Sequence, residues 1–186
     1  MGIDIGGNQI TQASSVLTIN TGASMRMLSA GGVSRPQQPQ FIAIGTGDWV
    51  YITPDGQWNK MPFGNASVNI GSCYSAALSR FTAPVAGSYF FQASAYLLKD
   101  GANNGYYWHP SFYVNGVISG GVVNPSYGNY RLRGYGQNIA TYLDSDIRQI
   151  YQLAAGDYVE HWFYSTGAGG NRYYGPQSRF TGFLLG

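Results

Sequence analysis

Beyond Gln40 the chain is written in short apolar runs, each only a few residues long and each stopped by a turn signal. The stops include Pro54-Asp55-Gly56, the DGANNG stretch from Asp100, Val114-Asn115-Gly116 and the AAGD stretch from Ala154, all residue types that accept tight-turn backbone angles. Short runs in this rhythm predict an all-β, antiparallel two-sheet sandwich. The candidate strands are PQFIAIG, DWVYIT, WNKMPF, SRFTAP, SYFFQASAYLL, HPSFYVNGV, NYRLRGY, RQIYQLAA, DYVEHWFYS and SRFTGFLL. Ile147, Ile150, Tyr151 and Ala154 also fit a helical spacing. Gln149, Tyr151 and Leu153 fit a strand equally well, and strand is the reading adopted.

In SYFFQASAYLL one parity carries Tyr89, Phe91, Ala93, Ala95 and Leu97, and the other carries Phe90, Tyr96 and Leu98. A sandwich strand with a solvated outer side alternates apolar and polar residues, so apolar residues on both parities predict a covered outer side. FTGFLL, with Phe183, repeats the pattern. The cover is either a further layer of the same chain or another subunit. The pattern holds no spare helix or third sheet, which favours a subunit and makes Phe90, Tyr96, Leu98 and Phe183 candidate subunit-interface residues.

Residues 1–39 read differently. They are rich in Gly, Ser, Thr and Gln, with small alternating pieces at Ile3 and Ile5, Leu17 and Ile19, and Met25 and Met27. Pieces this short cannot bury a face alone. The prolines of RPQQP suggest a stiff linker, so residues 1–39 are expected to form a short extended N-terminal docking segment and linker, and 40–186 a head domain. MGIDIGGNQITQASS has neither a basic flank nor a continuous apolar run, which predicts neither a signal peptide nor membrane insertion.

Composition narrows the function. Charged residues are only 10% of the chain against roughly 25% in ordinary domains, and the surface is built instead from Tyr, Gly, Ser, Asn and Gln. A net charge of +2 with scattered basic residues argues against nucleic acid as a partner. Cys73 is the only cysteine, so no intrachain disulfide exists.

An enzyme needs positioned acids, bases or nucleophiles. No Gly-x-Ser-x-Gly elbow, phosphate-cradling Gly-Lys-Ser/Thr loop or His-Glu-x-x-His helix occurs, and His109 and His161 read as packed strand residues. Asp144 and Asp146 form a close carboxylate pair, either a solvent-facing pair or part of a calcium site. The expectation is no catalysis, no cofactor and no metal. Aromatic residues in polar, Gly-rich surroundings are more informative: Tyr106, Tyr107 and Trp108 after DGANNG, Tyr127 and Tyr130 in NPSYGNYRLRGYG, and Tyr173 and Tyr174 in GAGGNRYYGP. Each either fills core or interface, or stacks on a saccharide ring whose hydroxyls the neighbouring amides and hydroxyls can bond.

Four signatures occur in order: FTAPVAGSYFF at Phe81 to Phe91, FYVNG at Phe112 to Gly116, LAAGDYV at Leu153 to Val159 and SRFTGFLL at Ser178 to Leu185. Together they resemble the globular-head domain of the first complement component and, with it, the tumour-necrosis-factor superfamily. The resemblance implies a jelly roll that packs as a tight homotrimer and works by binding. The N-terminal portion, MGIDIGGNQIT with LTINTGASMRMLSAGGVSRPQQPQFIA, resembles attachment segments of bacteriophage fibre proteins. That resemblance implies a virion fibre or tail-tip protein assembled in a bacterial cytoplasm. Its N-terminal segment would dock on virion or baseplate proteins, and its head would bind a host surface glycan or receptor. The alternative it leaves open is a structural decoration or adaptor protein of the particle.

Overall fold

Along Gly87–Asp100 the residues Tyr89, Phe91, Ala93, Ala95 and Leu97 are buried, while Phe90, Gln92, Ser94, Tyr96 and Leu98 between them are half-buried. This two-residue period is that of a strand with one side in a core. The computed structural model describes residues 16–19, 23–27, 33–34, 37–52, 56–100, 103–119, 132–136, 141–167 and 171–185. Among the described residues there is no helix. The chain divides into a unit of residues 1–38 and a larger unit of residues 39–186.

The smaller unit holds β1 (Val16–Ile19), β2 (Ala23–Met27) and β3 (Val33–Ser34) in a three-stranded antiparallel sheet. The small apolar pieces pair with one another, Leu17 opposite Met25 and Met27 opposite Val33.

In the larger unit the strands are β4 (Gln40–Gly45), β5 (Val50–Tyr51), β6 (Gln57–Lys60), β7 (Phe63–Ile70), β8 (Tyr74–Ser75), β9 (Arg80–Thr82) and β10 (Gly87–Asp100). They continue as β11 (Asn103–Val114), β12 (Val117–Ser119), β13 (Leu132–Gly136), β14 (Thr141–Leu153), β15 (Tyr158–Gly167), β16 (Asn171–Tyr174) and β17 (Arg179–Leu184). Two seven-stranded antiparallel sheets result. In the first, β10 pairs with β14 on one edge and with β17 and β16 on the other; β4 follows β17, β5 follows β16, and β7 closes the edge. In the second, β11 and β15 pair centrally. β12 and β13 lie on the far edge of β11, β6 and β9 on the far edge of β15, and β8 on β9. Apart from β8 with β9 and β11 with β12, sheet neighbours here are not consecutive in the chain, which is the winding of a jelly roll.

The core between the sheets is aromatic. Phe41 stacks on Tyr74 with centroids 4.8 Å apart and meets Phe180 edge-on at 4.8 Å, and Phe81 packs against Phe91 at 5.0 Å. Such pairs contribute about 0.5–1.5 kcal/mol each beyond their area burial. Gly182, within the terminal signature, makes this packing possible. A Cβ there would stand 2.6 Å from Phe91 Cδ1 and 2.7 Å from Phe41 Cε1.

The turn signatures clasp each other. Asn115 and Gly116 both take positive φ, the conformation their residue types tolerate best in a two-residue hairpin. Asn115 Nδ2 donates to Asp157 Oδ1 at 2.8 Å, the Tyr158 amide donates to Asn115 Oδ1, and the Ala154 amide donates to Asp157 Oδ2 at 2.7 Å. These bonds hold the Asp157 carboxyl below its ordinary range, Asn115 first and the Ala154 amide second. Ala83, ahead of Pro84, exchanges backbone bonds with Gly156 and Asp157.

Several elements depart from expectation. WNKMPF is not one strand: β6 ends at Lys60 and β7 begins at Phe63, because Pro62 has no amide hydrogen to continue a ladder. β7 beyond Phe63, β8 and β16 went unpredicted, being short or polar. β14 extends well upstream of RQIYQLAA and takes in Asp144 and Asp146.

Candidate functional site

The outer side of the first sheet carries every residue expected at a trimer interface. Phe90, Tyr96 and Leu98 share the outward parity of β10, and Phe183 lies opposite Phe90 on β17 with ring centroids 5.3 Å apart. Ile150 flanks Phe90 from β14, so Ile150, Phe90 and Phe183 form an apolar row across three strands. Ile150 is 56% exposed and Phe183 41%, which leaves the row open to solvent on the single chain. One step along, the side becomes polar. Gln92 Nε2 donates to Asp146 Oδ2 at 2.7 Å, and Arg148 Nε lies 3.2 Å from Asp146 Oδ1. Further on it is aromatic again, with Trp49 against Tyr96 at 5.4 Å and Tyr51 against Tyr173 at 5.5 Å.

The outer side of the second sheet is built from polar aromatics and an ion cluster. On β15 the inward positions Val159, His161, Phe163 and Ser165 are buried, which leaves Tyr158, Glu160, Trp162 and Tyr164 on the outward parity. Tyr113 of β11 stacks on Trp162 with centroids 4.6 Å apart at 25°. Trp58 of β6 meets Tyr113 edge-on at 5.9 Å and 66° and lies tilted by 54° to Tyr164 at 5.5 Å, so four rings form a continuous platform of mixed orientation. At its end Glu160 Oε1 accepts from Lys60 Nζ at 2.7 Å and Arg80 Nε at 2.8 Å, while Oε2 accepts from Trp162 Nε1 at 3.0 Å. Burial alone would raise the Glu160 carboxyl; the Lys60, Arg80 and Trp162 bonds together hold it below its ordinary range. Arg80 also lies over the Tyr158 ring at 3.9 Å. The sequence reading missed this cluster. The alternation within DYVEHWFYS was a usable signal, but the partners from β6, β9 and β11 come from distant stretches of chain.

The aromatics expected in ligand-binding loops fare unevenly. Tyr174 is corrected: it is 1% exposed, lies on β16 and meets Phe63 edge-on at 5.6 Å, so it is a core residue. Tyr173 lies on β16 opposite Leu98 and Tyr51, beside the residues expected at the interface and on a strand, not in a loop. Tyr106, Tyr107 and Trp108 also belong to a strand, β11, and their side chains lie outside the described residues. Tyr127 and Tyr130 lie wholly outside them.

Two further titratable groups, Cys73 and His161, are packed in the core. Cys73 is buried, its Sγ donates to the Ile70 carbonyl, and burial pushes the thiol up to about 11, far from a thiolate nucleophile at neutral pH. His161 is fully buried among Phe63, Phe112, Phe163 and Phe180 with neither ring nitrogen bonded, and desolvation lowers it to about 3. Among the described residues no three His, Cys, Asp or Glu side chains converge to hold a metal.

The geometry defines an antiparallel two-sheet jelly roll with one apolar and one polar-aromatic exterior. Solved structures of this fold are similar to it. The globular domain of the zebrafish complement 1qA protein matches with a TM-score of 0.50 and 17% identity, covering 80% of this chain and 98% of that one. The Eiger TNF structure from S. frugiperda matches with a TM-score of 0.50 and 13% identity, covering 82% of this chain and 94% of that one. At such identities the likeness establishes the complement-head and tumour-necrosis-factor type of fold. No protein-family profile matches the chain, and no curated protein matches it in sequence.

Proposed function

We propose that this chain is the homotrimeric, non-catalytic head of a virion fibre or tail-tip protein that attaches its particle to a host cell-surface glycan or receptor. The observation that carries the reading is the solvent-open row of Ile150, Phe90 and Phe183 on one sheet. Side chains without a polar atom gathered on a strand face mark a surface that another protein covers. A second copy burying on the order of 2,000 Å² or more per pair, as obligate assemblies do, would remove it from water. Tyr51, Tyr173, Trp49 and Tyr96 continue along the same side, so Tyr173 is assigned to association and not to ligand. That arrangement turns the second sheet outward, where Tyr106, Tyr107 and Trp108 sit on β11. Support for the virion setting comes from the likeness of the N-terminal portion to fibre attachment segments.

Mass photometry at micromolar concentration is expected to find trimers and no monomer; a stable wild-type monomer would refute the assembly. Purified heads are expected to adsorb to permissive cells and to block infection. Heads that do neither on any permissive host would leave the chain a structural decoration of its particle. Trp108→Ala should lower adsorption at equal trimer content.

A further inference from the structure

We infer that the outer side of the second sheet is a binding site for an acidic saccharide, with a sugar ring against the Trp58, Tyr113, Trp162 and Tyr164 platform and its carboxylate at Lys60 and Arg80. The inference deepens the attachment reading above and rests on it for its biological setting.

Charge points to an anion. The strands of the second sheet carry Lys60, Arg80 and Arg133 against a single carboxylate, Glu160. The strands of the first carry Lys99, Arg148, Arg172 and Arg179 against Asp100, Asp144 and Asp146, which is close to balance. Exposure points the same way: the Lys60 and Arg80 side chains each keep 29% of their surface while Glu160 keeps 4%. The carboxylate is therefore sunk beneath two cations that still reach solvent. An ammonium has three donors and a guanidinium five, and Glu160 occupies one from Lys60 and two from Arg80. Glu160 holds both cations in place, and Tyr158 braces Arg80 from below. Their remaining donors suit a carboxylate, the pairing that charge-assisted hydrogen bonds favour.

The rings select the rest of the ligand. Trp162 is fixed by its indole N–H bond to Glu160 and by the stack with Tyr113, so the platform is ordered before a ligand arrives. Half-buried ring surface beside fixed cations, with Trp58 set across the Tyr113–Trp162 stack, matches a molecule with an apolar C–H face and an acidic group, as in uronic and sialic acids. A bare phosphate would use the cations and leave the rings idle.

The test is calorimetric titration of the trimeric protein with oligogalacturonate and oligosialic acid, against malto-oligosaccharides of equal length and against inorganic phosphate. An acidic oligomer is expected to bind at least about tenfold more tightly than the neutral ones, the equivalent of one good ionic contact, and added salt should narrow the gap. Lys60→Gln should abolish the preference for acid, and Trp58→Ala should weaken binding of every sugar. Both variants are checked for trimer content and circular dichroism, and Trp58→Phe substitutes if Trp58→Ala does not fold. The inference is overturned if no acidic oligomer binds, if neutral ones bind equally well, if phosphate competes as effectively as the sugars, or if both variants bind like wild type. Cell adsorption measured in parallel separates the two proposals. Heads that adsorb but ignore acidic oligomers keep the attachment function and lose this site. Heads that bind the oligomers but adsorb to no host keep the site and lose the attachment function.

Discussion

The outer parity of β10 runs Phe90, Gln92, Ser94, Tyr96 and Leu98, and that of β15 runs Tyr158, Glu160, Trp162 and Tyr164. Both strands send aromatic residues inward to the same core, and both present large side chains outward. The difference lies in the polar atoms those side chains carry. Trp162 bonds Glu160 through its indole, Glu160 pairs with Lys60 and Arg80, and Tyr113, Trp58 and Tyr164 each carry a hydroxyl or indole N–H that water can solvate. Phe90, Phe183 and Ile150 have no such atom, so nothing offsets the cost of leaving them in water. One side can therefore stay wet at little cost, and the other leaves apolar surface in water on the single chain.

The largest expected effect comes from breaking that contrast on the first sheet. Phe90→Asp places an unpaired charge in the apolar row of every subunit, a change that costs several kcal/mol in an interface, on the order of 3–5. Sedimentation should find folded monomer. Trp58→Asp, its counterpart on the second sheet, should leave the trimer intact; dissociation by Trp58→Asp alone would reverse the assignment of the two sides.

Acid should separate the sheets next. Desolvation lowers His161 from 6.5 to about 3, so between these values the unfolded chain binds a proton that the folded chain refuses. The contribution of His161 is fully present above pH 6.5 and is lost as pH drops towards 3, because the unfolded chain gains protons that the fold excludes. Glu160, held below its ordinary range, adds a loss of the same sign as pH falls through its folded value. Denaturant midpoints at pH 7 and pH 4 measure the fall, and His161→Leu should flatten it. Hydrogen exchange at pH 4 should open β15 and its neighbours before β10.

Gly182→Ala should cost about 1–3 kcal/mol, the usual penalty of overpacking, because its Cβ meets Phe91 and Phe41. Since those rings belong to the shared core, denaturant melts should show both sheets lowered together. The smallest effect belongs to Lys60→Ala, about 0.5 kcal/mol and no more than about 1, as for partly exposed ion pairs. A large loss of stability would mean that Lys60 supports the fold and is not held ready for a ligand.

The alternation of SYFFQASAYLL and DYVEHWFYS made the central strands legible, and the Gly, Pro and Asn-Gly stops made their turns legible. The outward position of Phe90, Tyr96, Leu98 and Phe183 followed from parity alone. β16 was not legible, because RYY beside GAGG looks like a loop until β10 and β5 close on it; Tyr174 was misassigned for that reason. The ion cluster was hidden for a related one. Lys60, Arg80 and Glu160 are scattered single charges in sequence, and only the pairing of β6 and β9 with β15 brings them together.

β17 lies between β10 and β4 in the middle of the first sheet, although it is the last of the described strands in chain order to leave the ribosome. Until it emerges, β10 and β4 cannot be joined, Phe180 is missing from the aromatic core, and the row that receives Phe183 is incomplete. The sheet must therefore stay open while the other strands are already synthesised, and closure of the fold and completion of the apolar row arrive with the same half-dozen residues.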